Sequence, residues 1–242
     1  MRFPETVTRR NLPHWYVPGA VHFVTYRLYG ALPQIALKEL RSHKESLLKR
    51  KPPMGLSPAE YRQQVHKRLF ASYDQWLDQA KNDALSDPRI AELVRGNLYH
   101  HNSNKYHLIA YCIMPNHVHV LFQPIDVATG GPPVGLITTG EPPVATTIGE
   151  QLVAQSPLAR IMHSLKSYTA HEANHILNRA GAFWQAESYD HWVRDDDELE
   201  RILNYVRANP VKAGLVERPE LWLWCSCHDR FLLDGDTGGW LP

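Results

Sequence analysis

"YHLIAYCIMPNHVHVLFQP", residues 106–124, decides the fold of this chain. Its two apolar halves flank Pro115-Asn116. Apolar runs of this length on either side of a short turn signal favour an antiparallel β-hairpin. His117 and His119 interrupt the second half. Because side chains alternate along a strand, the two imidazoles lie on one face, roughly 7 Å apart.

The hairpin stands at the centre of an α+β pattern. The other predicted elements are a strand at 20–30, helices between 37 and 99, a helix after Ser156-Pro157, a short strand at 187–193 and a helix that ends before Pro210. This order favours a ferredoxin-like antiparallel sheet with helices on one face. We expect one domain over 1–242, with a helical insertion at 36–104 and a C-terminal helical extension at 195–230.

Residues 124–150 have a different composition. "TGGPPV" at 129–134 recurs as "TGEPPV" at 139–144. Two copies are too few for a repeat fold, so this Gly/Pro/Thr-rich segment is interpreted as a flexible insertion without chemistry.

The total charge indicates no particular partner, since 26 Lys and Arg stand against 25 Asp and Glu. Residues 36–70, however, carry an excess of positive charge that would suit a phosphate backbone or, equally, a solvated helix face. Three cysteines and the absence of a signal peptide or an apolar span predict a cytoplasmic protein without membrane contact.

The histidine pair has two interpretations. Two imidazoles on one strand face can converge on a divalent ion, and the apolar residues around them favour this interpretation. A half-exposed polar sheet face is the alternative.

A metal site needs a third ligand, and the helix after Pro157 offers one. Its apolar residues follow helical spacing, and at about 100° per residue Glu172 falls within their stripe. A carboxylate that faces the core requires a cation or strong donors. Tyr168, one turn earlier, lies on the flank of the stripe, where a boundary tyrosine with a solvated hydroxyl is the simpler interpretation.

Five blocks of this chain resemble a known family. They are "HFVTYRLYGALP" (22–33), "YCIMPNHVHVLFQP" (111–124), "HSLKSYTAHEANHIL" (163–177), "FWQAESYDHWV" (183–193) and "YVRANPVKAGLVERPELWLWCS" (205–226). Together and in this order they are similar to the REP-associated tyrosine transposases, single-strand DNA transposases with a His-hydrophobic-His motif and one tyrosine. The matching blocks span nearly the whole chain.

The resemblance implies a nuclease domain that cleaves and rejoins single-stranded DNA at hairpin-flanked sites through a 5′-phosphotyrosine. His117, His119 and Glu172 match the metal positions, and Tyr168 matches the nucleophile. The implied cofactor is Mg²⁺ or Mn²⁺, the implied partner is single-stranded DNA with hairpins, and the chain would act as a monomer or a homodimer.

Contacts to DNA are expected from cationic, amide and aromatic side chains near these motifs. The candidates are Arg9, Arg10, Lys166, Trp184, Gln185, Arg207, Asn209 and Lys212. For each of them the alternative is an ordinary surface or packing residue.

Two other functions stay open. One is a non-catalytic module of the same fold that grips DNA hairpins. The other is a metal-dependent phosphoesterase or nuclease with water as its nucleophile, in which Tyr168 would be dispensable.

Overall fold

The computed structural model describes residues 16–56, 58–78, 82–125 and 156–228. Its centre is a four-stranded antiparallel sheet in the order β2-β3-β1-β4. The strands are β1 (His22–Arg27), β2 (Tyr106–Ile113), β3 (His117–Pro124) and β4 (Tyr189–Trp192). This order and the helices between the strands confirm the predicted α+β, ferredoxin-like class.

The described residues also form five α-helices. They are α1 (Gln34–Lys49), α2 (Pro58–Asp78), α3 (Pro88–His101), α4 (Pro157–Ile176) and α5 (Asp196–Lys212). Asp87, Ser156 and Asp195 cap α3, α4 and α5, because each side chain accepts a hydrogen bond from a backbone N–H of the first turn. Such caps stabilise a helix by about 1 kcal/mol.

One face of the sheet, here called the apolar face, carries Val24 and Tyr26 of β1 and Val118 and Val120 of β3. It packs against α3 and α4, whose buried residues belong to the same cluster. Burying each large apolar side chain stabilises the fold by about 1.5 to 3 kcal/mol. This layer is the helical layer that the ferredoxin-like pattern predicts.

The opposite face, here called the histidine face, carries Phe23 and Thr25 of β1 with His117 and His119 of β3. It is covered by the second half of α2 and by α5. Phe70 of α2, for example, stacks on Tyr189 of β4 with ring centroids 4.2 Å apart. The predicted insertion and extension therefore cover the face that a bare ferredoxin-like layer would leave open.

The sequence predicts that α5 ends before Pro210, but the helix continues to Lys212. A proline lacks one backbone N–H, so near the end of a helix it removes only a single hydrogen bond. The bond lost is the one to the carbonyl of Val206, and the Asn209 side chain adds a hydrogen bond to the adjacent carbonyl of Tyr205 at 2.9 Å.

Arg9, Arg10, Ser57 and most of the 124–150 insertion lie outside the described residues. The single-domain boundaries stay a prediction. In the described part of the chain, no helix combines the length and the apolar character that crossing a membrane requires.

Candidate metal centre

His117 and His119 bring their imidazoles together on the histidine face. Their side chains are almost fully buried, with 1% and 0% of each residue exposed. The two Nε2 atoms are 2.9 Å apart, much closer than the strand geometry alone requires. The histidine pair is thus a convergent pair in the core, and the half-exposed polar face is excluded.

The outer nitrogen of each ring is held by a neighbour. The amide of Asn116 donates through Nδ2 to the carbonyl of Leu77 at 2.7 Å, so its Oδ1 is the atom that faces His117. Because Oδ1 can only accept, the Nδ1–H of His117 donates to it at 2.6 Å. Nδ1 of His119 lies 2.8 Å from the hydroxyl oxygen of Thr25. A neighbour that fixes the second ring nitrogen is typical of metal-ligating histidines.

Asp74 of α2 is the third member of the group. Its Oδ1 lies 3.5 Å from Nε2 of His119, and one ligand atom from each of the three residues lies within 4.8 Å of the others. Only 1% of Asp74 is exposed, and in the described part of the chain Oδ1 has no hydrogen-bond partner. A buried carboxylate oxygen without a donor is costly, so this atom fits a cation.

Lys212 of α5 completes the charge balance, since its Nζ lies 2.6 Å from Oδ2 of Asp74. Burial acts to raise the pKa of Asp74, but the neighbouring His119 imidazole and the Lys212 ammonium outweigh it and hold the pKa well below its usual range. Burial, with help from His119, lowers the pKa of His117 well below its ordinary value. The group therefore presents an ionised carboxylate and a neutral His117, the states in which both bind metals.

Aromatic rings enclose His119 on the remaining sides. The ring centroids of Tyr205, Phe23 and Phe70 lie 5.3, 5.7 and 6.4 Å from that of the imidazole. Such a wall excludes water and strengthens electrostatic interactions inside it.

The ligand set fits a divalent transition metal. Two imidazole nitrogens and one carboxylate oxygen are donors that such ions accept, and they leave coordination positions open. With the proton of His117 on Nδ1, its Nε2 keeps the lone pair that a metal would bind.

The sequence analysis missed Asp74, although a signal was present. Asp74 comes one turn after Phe70, directly after Tyr73 and almost one turn before Leu77. It is therefore a carboxylate within an apolar stripe of the helix. Helical spacing indicates Glu172 in the helix after Pro157 in the same way, whereas the helical insertion was interpreted only through its positive charge.

The structure does not bring Glu172 to the histidines. Its side chain is 36% exposed and its Oε1 lies 2.8 Å from Nδ1 of His171. Ala173 occupies the buried position that the periodicity assigned to the neighbouring carboxylate. The physical reason is that α4 packs on the apolar face, whereas the histidines point to the other side of the sheet.

Tyr168 is 53% exposed on α4. Among the described residues, no hydrogen bond joins it to either histidine. Two residues earlier, Lys166 donates to the carbonyl of Gln185 at 3.1 Å, and the N–H of Gln185 donates to the carbonyl of Arg27 at 2.9 Å. Arg27 is the register partner of His117, so this part of α4 is connected to the end of the sheet where His117 lies.

The remaining DNA-contact candidates differ in their placement. Trp184 is buried, and its Nε1–H donates to the hydroxyl of Thr169 at 2.8 Å, so its ring packs in the core instead of facing an unpaired base. Asn209 is also buried. Gln185 and Arg207 are partly exposed, and Lys212 is engaged with Asp74.

No family model matches this chain. Among known proteins, it is 28% identical over 124 residues to a Haemophilus influenzae protein named for the REP-associated tyrosine transposases. The match covers 51% of this chain and 60% of that relative. A solved structure of a REP-associated tyrosine transposase bound to a REP hairpin aligns with a TM-score of 0.45 and 13% identity, over 94% of this chain and 87% of the other. The resemblance to the REP-associated tyrosine transposases that the sequence motifs indicate is confirmed by the Haemophilus influenzae relative.

Proposed function

We propose that this chain is a metal-dependent enzyme of the REP-associated tyrosine transposase type, which cleaves and rejoins single-stranded DNA at hairpin-flanked sites. The observation that carries the proposal is the convergence of Asp74 with the two histidines of the His-hydrophobic-His motif. The named relative supports the same class of activity.

In this proposal, the three residues hold a divalent cation through Nε2 of both histidines and a carboxylate oxygen of Asp74. The cation would polarise the scissile phosphate and stabilise the charge that develops on it. Of the two expected ions, Mn²⁺ suits two imidazoles better than Mg²⁺, which prefers oxygen ligands.

Tyr168 is the proposed nucleophile. Its phenol oxygen would form a bond to phosphorus while the bond from phosphorus to O3′ breaks, and O3′ would leave with a proton. The 5′-phosphotyrosine keeps the energy of the broken bond, so a second 3′-OH can reverse the step and rejoin strands. The exposure of Tyr168, and the link from Lys166 to the strand end beside His117, support this role.

We also propose that residues 36–104 are an insertion within one domain, and that they supply Asp74 to the centre. Several exposed cations of this segment would attract the DNA backbone. The described ones are Lys38, Lys49, Arg50, Lys51, Arg68 and Arg89, the last of which is paired with Asp87.

A metal-dependent phosphoesterase is the second candidate. Two observations favour it: the centre is assembled with Asp74 instead of Glu172, and α4 lies on the other face of the sheet. Water at the cation would then replace the phenol as nucleophile.

One experiment separates the candidates. Labelled single-stranded DNA carrying a palindrome that flanks the gene is incubated with the protein and Mn²⁺ or Mg²⁺, and the mixture is run on a denaturing gel. We expect a labelled covalent adduct with the wild type and with Tyr29→Phe, a control at a tyrosine of similar exposure (57%), but none with Tyr168→Phe.

Cleavage without an adduct, unchanged in Tyr168→Phe, would contradict the tyrosine mechanism and favour the phosphoesterase. Binding of the hairpin without cleavage or adduct, insensitive to a chelator, would favour a non-catalytic binding module.

A further inference from the structure

Arg27 is a buried cation next to the candidate metal centre. It is the last residue of β1, its Cα is the register partner of that of His117, and both side chains lie on the histidine face. Only 4% of Arg27 is exposed. Its guanidinium stays charged at any pH of interest.

The surroundings of Arg27 supply little compensation for this charge. Nη1 donates to the carbonyl of Leu28 at 3.5 Å, and the guanidinium carbon lies 5.8 Å from the ring centroid of Tyr73. Nε is buried and finds no hydrogen-bond partner among the described residues. Among the side chains that the structure describes, no carboxylate forms an ion pair with Arg27.

Tyr73 places its ring beside the guanidinium, and an aromatic ring is not a counterion. A buried cation with an unpartnered N–H and no ion-paired carboxylate among the described residues is costly. Most buried arginines avoid this cost by pairing with a carboxylate. The position of Arg27 therefore suits an anion that comes from outside the chain.

We propose that Arg27 is an anion-binding subsite of the centre formed by Asp74, His117 and His119, and that it holds a non-bridging oxygen of the phosphodiester substrate. The inference rests on the proposed function and deepens it, since it assigns a phosphate contact to the same site. The planar guanidinium offers two parallel N–H donors that match phosphate oxygens. Because the Tyr73 ring lies beside the guanidinium, a phosphate would reach it when that side chain rotates away, while Asp74 stays at the centre.

The proposal is tested with Mn²⁺ and dimethyl phosphate, a monoanionic mimic of the DNA backbone. The dissociation constant of Mn²⁺ is measured by electron paramagnetic resonance, with and without dimethyl phosphate, for the full-length wild type, Arg27→Gln and Arg27→Lys. Arg194→Gln is the matched control, because Arg194 is partly buried but has the carboxylate of Glu198 3.9 Å away. Circular dichroism establishes that each variant is folded.

Two ligands that stabilise each other at adjacent positions show reciprocal coupling. We expect dimethyl phosphate to tighten Mn²⁺ binding about tenfold in the wild type and in Arg194→Gln. In Arg27→Gln, Mn²⁺ alone should bind as in the wild type while the coupling disappears. Arg27→Lys should keep part of the coupling, since it keeps the charge but not the planar fork.

Mn²⁺ binding without any coupling in the wild type would overturn the subsite and leave the metal centre intact. If the wild type does not bind Mn²⁺, the metal centre of the proposed function fails, and phosphorus-31 line broadening of dimethyl phosphate in metal-free protein decides about Arg27. Broadening that Arg27→Gln abolishes supports the subsite, and its absence in the wild type overturns it.

Discussion

At the scale of single residues, Thr25 is a sensitive probe of the centre. For Nε2 of His119 to bind a metal, the imidazole proton must lie on Nδ1. The hydroxyl of Thr25 is the acceptor that can hold this proton there. Thr25→Val keeps the shape of the side chain and removes the acceptor. We expect the dissociation constant of Mn²⁺, measured by titration calorimetry, to rise at least about tenfold.

Thr169→Val is the matched control, because Thr169 is an equally buried threonine whose hydroxyl binds Trp184 away from the histidines. It should leave Mn²⁺ affinity unchanged. Equal affinities for the wild type and Thr25→Val would show that Thr25 does not orient His119.

His22 is a second residue with a measurable signature. Burial lowers its pKa to about 4, although the hydrogen bond to Ala20 opposes this effect. The unfolded chain takes up a proton near pH 6.5 and the folded chain only near pH 4, so stability falls as the pH drops between these values. We expect the titration of His22 to lower the free energy of unfolding by about 2 kcal/mol when the pH falls from 7 to 5.

Urea unfolding of the wild type and His22→Gln at several pH values checks this expectation. The stability of His22→Gln should depend less steeply on pH by that amount, whereas parallel curves for the two proteins would contradict the assignment. His117 shifts stability in the same direction in both proteins, so the difference between them isolates His22.

At the scale of elements, the sequence predicts most of what local patterns encode. Strands β1 to β4 and the starts of α3 and α4 follow from alternation, turn signals and capping residues, as Asp87 and Ser156 show. The assignment of Glu172 could not succeed in the same way. Periodicity indicates which stripe of a helix is buried, but the choice between the two faces of a sheet is made by tertiary packing.

The competition between α2 and α4 for the third ligand gives the next prediction. Asp74→Asn keeps the size of the side chain and removes its charge. Loss of an outer-sphere partner alone lowers metal affinity about tenfold, so loss of this ligand's charge should lower Mn²⁺ affinity by more than that. Glu172→Gln should change the affinity by less than about twofold, because its carboxylate is exposed and bound to His171.

The same Mn²⁺ titration of both variants provides the check. A large loss in Glu172→Gln with none in Asp74→Asn would mean that the ligand comes from α4, as the family resemblance implies, and that α4 rearranges when metal binds.

At the scale of the whole molecule, the centre connects three parts of the chain that are distant in sequence. His117 and His119 belong to the sheet, Asp74 to the helical insertion and Lys212 to the C-terminal extension. Without metal, the ion pair between Asp74 and Lys212 is the polar link from α2 to α5 over the histidine face. A bound cation would add a link from α2 to the sheet.

This arrangement predicts how metal and Lys212 share the stabilisation of the fold. Mn²⁺ at about one hundred times its dissociation constant should stabilise the wild type by about 2.7 kcal/mol and raise its melting temperature by about 5 to 10 °C. Lys212→Met leaves the carboxylate of Asp74 buried without its ammonium, so the metal-free variant should lose about 1 to 3 kcal/mol. Mn²⁺ neutralises the same carboxylate, so the variant should gain more from the metal than the wild type does.

Thermal unfolding with Mn²⁺ and with EDTA measures both effects. Lys105→Met is the control, because the only described side-chain partner of Lys105 is the hydroxyl of Ser164, 2.7 Å away. The control should respond to Mn²⁺ as the wild type does. An equal response of Lys212→Met and the wild type would show that the cation does not act on Asp74. Loss of the response in His117→Ala together with a larger response in Lys212→Met would instead place the cation between the sheet and α2, where it would join the insertion to the rest of the domain.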